Sequence, residues 1–381
     1  MSVMAGSDVA LEAGTGQLRA TGYTPAQVAA QLVAPARSWR FRYRLLNRDG
    51  LVLGAPDVSD CTVTYADLAD VKRTADFTIR GGQDINFATE RIQPLIQLRM
   101  PDGGWHEWPM GVFLMASPKQ RKALYRTPAP REVTAYDLGL VLRDDKLLDR
   151  YTVQKGNRYL DGVIETLGSA QLPTTAISGN DKVVPAAMEW PPGTTKAQVI
   201  NDLLGAINYR PLQFDGNGVP RVVPYQSPAD APPVWNYDLS AASVVLPGID
   251  ETLDLSSVAN AWVLVVSQPD RAELRSTYVN DSTTSPTSTV NVQRRIVDYR
   301  EEQDAADQAT LNAKTRRLAE EASQVYAKVE WDTGMMPIHG AGDVLILDSG
   351  DGPNRYRETE WSMKLAAGEV MHHAARRVVT V

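Results

Sequence analysis

Residues 195–225 constrain the fold more than any other stretch. Thr195 and Gln198 have the spacing of a capping box, which satisfies free backbone N–H groups at a helix start. Val199, Ile200, Leu203, Leu204 and Ile207 then fall at offsets that line one face of a helix. Asn208 and Pro211 supply a stop. Leu212–Phe214 and Val219–Val223 flank Asp215-Gly216-Asn217-Gly218, which reads as a hairpin. The stretch specifies its backbone closely and carries no catalytic cluster. Such a combination points to a building part rather than an enzyme.

The chain's 381 residues allow two or three domains, and 43% hydrophobic with 22% charged residues is ordinary for a soluble globular protein. A net charge of −7 disfavours a general binder of nucleic acid or of a membrane surface. Cys61 is the single cysteine, so intramolecular disulfides are impossible and a thiolate metal site is disfavoured. It alternates with Val63 and Tyr65, as a small core residue on a strand would. The N-terminus lacks a secretory pattern: its first basic side chain is Arg19 and no long apolar run precedes it. The best apolar run, Ala259–Val266, is interrupted by Asn260 and too short to span a bilayer.

The β signal begins at Trp39. Trp39, Phe41, Tyr43 and Leu45 alternate with Arg40, Arg42 and Arg44, the period of a half-buried strand. Ala75, Phe77 and Ile79 alternate too, and Ile92–Met100, Gly111–Ala116 and Glu132–Tyr136 are further strand candidates. Many short strands separated by turns suggest a barrel or a sandwich. Thr24 and Gln27 box a short helix before this block. After it, Asn157 is a candidate cap for a helix carrying Tyr159, Leu160, Val163, Ile164 and Leu167, with Gly168 closing it. Further on, Glu273–Tyr278 and Val290–Ile296 look like partners across a mobile Ser/Thr-rich loop, Asn280–Ser288. A long helix follows at 302–328, with Leu311, Leu318, Ala322, Val325 and Tyr326 on one side.

The expected organisation is an arm and short helix at 1–37, a first β domain at 38–146, a small α/β domain at 147–235 and a second β domain at 236–381. Ser227–Pro233 serves as a linker. The fold class is α+β, mainly β.

Candidate chemistry is sparse. The histidines are His106, His339, His372 and His373. No Gly-x-Ser-x-Gly elbow, dinucleotide fingerprint or Walker loop is present. His339 reads as an isolated loop residue. His372 and His373 are adjacent on a strand, so they point to opposite faces and cannot easily share a metal. Asp343, Asp348 and Asp351 lack the order of a calcium loop. The Arg40, Arg42 and Arg44 stripe suits a solvated or subunit-facing edge better than a nucleic-acid footprint. Trp105 and Trp108 could stack on a sugar ring if exposed; packing at an interface is the commoner role of such aromatics. No catalytic residue, cofactor site or metal site is assigned from the sequence.

The order of blocks resembles the baseplate or tail-tip hub proteins of tailed phages and prophages. Related hubs occur in contractile injection machines and the type VI secretion spike. The residues that carry the resemblance are Tyr151-Thr-Val-Gln-Lys-Gly-Asn-Arg-Tyr-Leu-Asp-Gly-Val-Ile, the unit Val199-Ile-Asn-Asp-Leu-Leu to Phe214-Asp-Gly-Asn-Gly, His339-Gly-Ala-Gly-Asp-Val-Leu and Trp361-Ser-Met-Lys-Leu-Ala-Ala-Gly-Glu-Val-Met. The resemblance covers roughly 38–381.

It implies two barrel-like β domains flanking the α/β domain, and a homotrimer presenting a pseudo-sixfold ring to the tail tube. It implies partners above and below, a tail tube or distal tail protein and a tip, spike or fibre protein, with DNA passing through the channel unbound. The location implied is the virion tail, assembled in the host cytoplasm. Larger relatives append a lysozyme, peptidase or spike, and the expectation here is that such a part is absent or on another chain. Subunit contacts are expected at Arg40, Arg42, Arg44, Leu311 and Leu318. The competing functions are a tail-associated cell-wall hydrolase, using His339, His372 or a loop carboxylate, and a glycan- or receptor-binding tip module using Trp105 and Trp108.

Overall fold

The computed structural model describes residues 22–120, 129–174, 177, 179–240, 243–253, 258–268, 271–324, 327–340, 342–350 and 352–379. Most of the expected N-terminal arm, together with Val325, Tyr326, Asp351 and Val381, lies outside the described residues.

The capping chemistry read from the sequence builds two of the helices. Thr24 accepts from the Gln27 backbone N–H while Gln27 accepts from that of Thr24, starting the helix Pro25–Leu32. Thr195 accepts from the Gln198 N–H and starts Lys196–Ala206, which buries Val199, Ile200, Leu203 and Leu204. The chain then turns at Asn208, whose φ of 55° is the left-handed conformation that asparagine tolerates better than most residues.

The protein is mainly β, dominated by a 14-stranded sheet. Its path runs Val52–Gly54, Trp39–Leu46, Arg91–Arg99, Phe113–Gln120, Arg131–Tyr136, Arg73–Ile79, Val58–Ala66, Pro353–Lys364, Val370–Arg377, Ala327–Gly334 and Val245–Leu253. The two β blocks of the sequence are thus joined. Thr62–Ala66 pairs with Glu360–Lys364, and the Trp361 ring stacks on Tyr65 at 5.9 Å. One core accordingly mixes Phe77 and Phe113 with Trp331 and Trp361.

Two strands divide an edge between partners. Arg91–Arg99 pairs with Trp39–Leu46 on one side and shares its other side between Phe113–Gln120 and Trp105–Pro109. Pro353–Lys364 pairs with Val370–Arg377 and shares its other side between Val344–Asp348 and Val58–Ala66. Strands that switch partners in this way let a sheet turn a corner.

The helices Tyr159–Ser169 and Lys196–Ala206 pack together over a second core that includes Trp190, Tyr209 and Phe214. A third core lies under the helix Gln308–Ser323, where Leu311 and Ala319 meet Trp262, Leu264 and Val266. These two units abut. The Tyr159 hydroxyl donates to Asp304 at 2.5 Å, the Ala306 N–H donates to the Ala206 carbonyl, and Arg317 donates to the Tyr209 carbonyl at 2.7 Å. Residues 261–323 therefore form a small α/β layer set between strands that belong to the large sheet.

Several local expectations change. The first of these two helices has Arg158, not Asn157, at its N-cap, with no side-chain cap, and it runs through Gly168 to Ser169. Its end is Ala170, followed by Gln171 at φ 56°. The partner of Arg271–Val279 is Ala261–Gln268, not 290–296; Thr289–Val292 is a short helix, and Val297–Glu301 pairs in parallel with Ala261–Gln268. The loop 280–288 is packed: Asn280, Ser285, Thr287 and Ser288 are buried, and Asn280 donates to Ser285. The helix expected at 302–328 is Gln308–Ser323, because Val297–Glu301 is a strand and Asp307 caps the helix through the Thr310 N–H.

Candidate functional site

The residues singled out in the sequence do not gather in one place. Arg40 donates to Gln97 at 2.6 Å, and its guanidinium lies 4.2 Å from the centre of the Trp105 ring. Arg44 pairs with Glu107 at 2.8 Å. Only Arg42 of this stripe is exposed, so the basic face is largely bound to its own neighbouring strands. Trp108 is buried, with its ring edge-on to His106 at 4.3 Å. It has no face free for a sugar, and the stacking role considered for it does not fit. Trp105 is half-buried beneath Arg40. Leu311 is fully buried in the third core and has no apolar surface spare for another subunit, whereas Leu318 packs against that core and is half-buried.

The histidines carry the more informative geometry. His372 is exposed and bonded to Asp332 at 2.7 Å. His373, one residue on, points inward as strand alternation requires. There it meets His339, which is buried rather than on the surface. Glu358, on the central strand Pro353–Lys364, stands between them. Its Oε1 lies 2.6 Å from His373 Nδ1 and its Oε2 lies 2.9 Å from His339 Nδ1. The three side chains are wholly shielded from solvent, and their ligand-capable atoms all fall within 4.8 Å of one another.

The surrounding groups hold the two rings. Tyr237 Oη is 2.5 Å from His339 Nε2, and Thr333 Oγ1 is 2.8 Å from His373 Nε2. Trp331 stacks on His373 with ring centres 4.8 Å apart and planes within 8°. Asp343, in the loop that carries His339, accepts from the Gly340 N–H and lies 3.9 Å from His339 Nδ1.

Burial alone would push the Glu358 carboxyl up, but the two imidazoles outweigh it and hold it at about 2. Burial raises the Asp343 carboxyl to about 6 despite His339 and the Gly340 N–H. Burial also works against charge on His339, yet Glu358 and then Asp343 leave it above the ordinary range. His373 moves down, because burial exceeds the pull of Glu358. The arrangement can store charge or bind a cation, but it offers a substrate no open face.

Sequence reasoning missed this cluster because its members are 15 to 34 positions apart, and it weighed the wrong pair, His372 with His373. The signal available was one inward-facing histidine on a strand whose partner strand carries an inward-facing glutamate.

No protein-family model and no curated protein matches the sequence. Solved structures do match. A tail protein from Neisseria meningitidis MC58 is 13% identical with a TM-score of 0.62, over 89% of this chain and 96% of that one. The 43 kDa tail protein of prophage MuSo2 from Shewanella oneidensis is 8% identical with a TM-score of 0.60, over 89% and 98%. A type VI secretion system component from E. coli, described as structurally similar to the bacteriophage T4 tail proteins gp27 and gp5, is 10% identical with a TM-score of 0.51, over 89% and 77%. As the resemblance in the sequence implied, this chain has the fold shared by these two tail proteins, one of them from a prophage, and by the type VI secretion component.

Proposed function

We propose that the chain is a structural hub of a phage tail tip or baseplate, in which three copies form a ring of pseudo-sixfold symmetry around the DNA channel. The fold shared with tail proteins supports the structural role. The finer reading is carried by the sheet itself. Each half contains a strand that divides one edge between two partners, the device by which two similar barrel-like halves per chain would arise. Three such chains would set six comparable halves around an axis. The neighbours would be the tail tube or distal tail protein on one side and a tip, spike or fibre protein on the other. DNA would pass without specific contact past a protein of net charge −7.

The ring needs surfaces that close on copies of themselves. The main path of the large sheet ends in two strands, Val52–Gly54 and Val245–Leu253, which are paired on one side only among the described residues, as are the off-path strands Trp105–Pro109 and Trp235–Tyr237. Both end strands of the path expose apolar side chains, Val52 and Leu53 on one and Leu246 and Leu253 on the other. Unpaired strand edges are templates for association.

A catalytic reading gains nothing from the geometry. His339 and His373 are sealed in the core, and His372 is tied to Asp332 on the surface. Among the described residues, no helix is long and apolar enough to cross a membrane.

The direct test is the mass in solution by light scattering, followed by a map of the assembled particle. A mass of three chains and a ring at the tail tip are expected. A monomer at high concentration, with no corresponding ring in the particle, would end this reading.

A further inference from the structure

We propose that His339, His373 and Glu358, with Asp343 as fourth ligand, form a structural site for a divalent transition metal of the zinc class in the core of the C-terminal sheet. Two imidazoles and two carboxylates are a donor set suited to Zn2+.

The hydrogen-bond inventory motivates it. Thr333 Oγ1 has one proton and two acceptors in reach, the Gly334 carbonyl at 2.7 Å and His373 Nε2 at 2.8 Å. If the proton serves Gly334, His373 must donate from Nε2. In a neutral ring Nδ1 then presents a lone pair to the Glu358 carboxylate at 2.6 Å, which is repulsive unless a proton or a metal ion lies between them. On the other side, His339 Nδ1 and Glu358 Oε2 approach to 2.9 Å as a fully buried pair whose alignment is poor for a direct hydrogen bond, and neither atom has another hydrogen-bond partner among the described residues. Buried polar atoms of this kind call for a ligand.

Geometry and charge agree with that reading. Bonds of about 2.0–2.2 Å to a tetrahedral Zn2+ place ligand atoms about 3.3–3.6 Å apart. Taking one ligand atom from each residue, those of His339, Glu358 and His373 lie within 4.8 Å of one another and Asp343 lies 3.9 Å from His339 Nδ1, so shifts of about an ångström would admit the ion. A dication with Glu358 and Asp343 ionised and both imidazoles neutral leaves no net charge in the core, which limits the cost of burying two carboxylates.

The outer contacts are also those of a metal site. Tyr237 and Thr333 occupy the two Nε2 atoms, where partners orient ligating histidines. The ligands come from a loop and two adjacent strands, so the ion would clip these three segments together. The enclosure implies loading during folding, as metal affinity and folding are coupled in such sites.

The test uses the full chain, expressed without a metal-affinity tag. Mass spectrometry of the purified protein should find about one zinc per chain. Refolding with Co2+ as the only metal should give the visible absorption of a tetrahedral site. Glu358→Gln should abolish the metal with little change in volume, whereas His372→Ala should retain it. Tyr237→Phe should weaken Zn2+ binding by about 10–100-fold in competition with a chelator, the usual effect of losing an outer partner. Refolding wild type with a chelator should lower Tm. If Glu358→Gln fails to fold, the wild-type zinc content and Co2+ spectrum decide alone. Metal-free protein with an unchanged Tm, and no Zn2+ or Co2+ uptake on refolding, would overturn the proposal and leave a proton-bridged His–Glu–His network.

Discussion

His106 illustrates how a single side chain ties stability to pH. It lies on the strand Trp105–Pro109, is fully buried, and faces the Trp108 ring, with Tyr23 edge-on at 6.4 Å. Burial penalises the imidazolium and lowers its pKa to about 4, although Glu107 pulls the other way. A depressed histidine pKa means that the unfolded chain binds the proton more readily than the folded one. Its contribution is complete above the unfolded pKa of about 6.5 and is lost as pH falls towards 4, a change of about 3 kcal/mol. Urea denaturation at intervals from pH 7 to 4 should show this loss in wild type and a smaller loss in His106→Gln. Equal slopes in the two proteins would refute the assignment. The sequence marked His106 only as one of four histidines, since burial comes from the strands on either side. For the same reason, alternation correctly placed Cys61, Val63 and Tyr65 inside, but could not say that His373 would find His339 and Glu358.

At the scale of elements, what was legible followed the range of the interaction. Helix caps are local chemistry, and Thr24 and Thr195 act as their sequences indicate. Strand partners are not local. The alternation of Glu273–Tyr278 identified a strand, but nothing nearby revealed that Ala261–Gln268 would be its partner. Nor did the hairpin at 213–221 disclose its use. It docks the α/β unit on the first β block: Gln93 donates to the Gly216 carbonyl at 3.1 Å, and buried Arg73 donates to the Phe214 carbonyl. A Cβ on Gly216 would stand 2.0 Å from the Pro109 carbonyl oxygen. Gly216→Ala must therefore push two backbones apart and should cost about 1–3 kcal/mol, the range for overpacking. Gly168 provides the contrast, being exposed within a helix with open space around its missing Cβ. Gly168→Ala should stabilise by about 0.5–1 kcal/mol through helix propensity alone. Denaturant midpoints of the two variants, moving in opposite directions, check both claims; a Gly216→Ala midpoint equal to wild type would mean that the turn is not tightly docked.

Across the whole molecule, the pairing of Val58–Ala66 with Pro353–Lys364 joins chain segments almost 300 positions apart into one sheet. That continuity leaves Val52–Gly54 and Val245–Leu253 at the two ends of the path. If the proposed trimer is a head-to-tail ring, each chain gives one end to one neighbour and the other end to the next. This makes the two edges separately testable. Val52→Lys with Leu53→Lys changes the first, and Leu246→Lys with Leu253→Lys changes the second. All four positions are exposed, so the monomer's stability should move by no more than about 0.5 kcal/mol per site, as for ordinary surface substitutions. Charged edges resist strand association, so either double variant should fail to close a ring. Their mixture is the sharper experiment. The intact first edge of one variant can still meet the intact second edge of the other, but the remaining edges at both ends of that pair are blocked. Mixing should therefore give heterodimers and no trimers, read by native mass spectrometry. Trimers that survive in either variant alone would place the subunit contact elsewhere on the molecule.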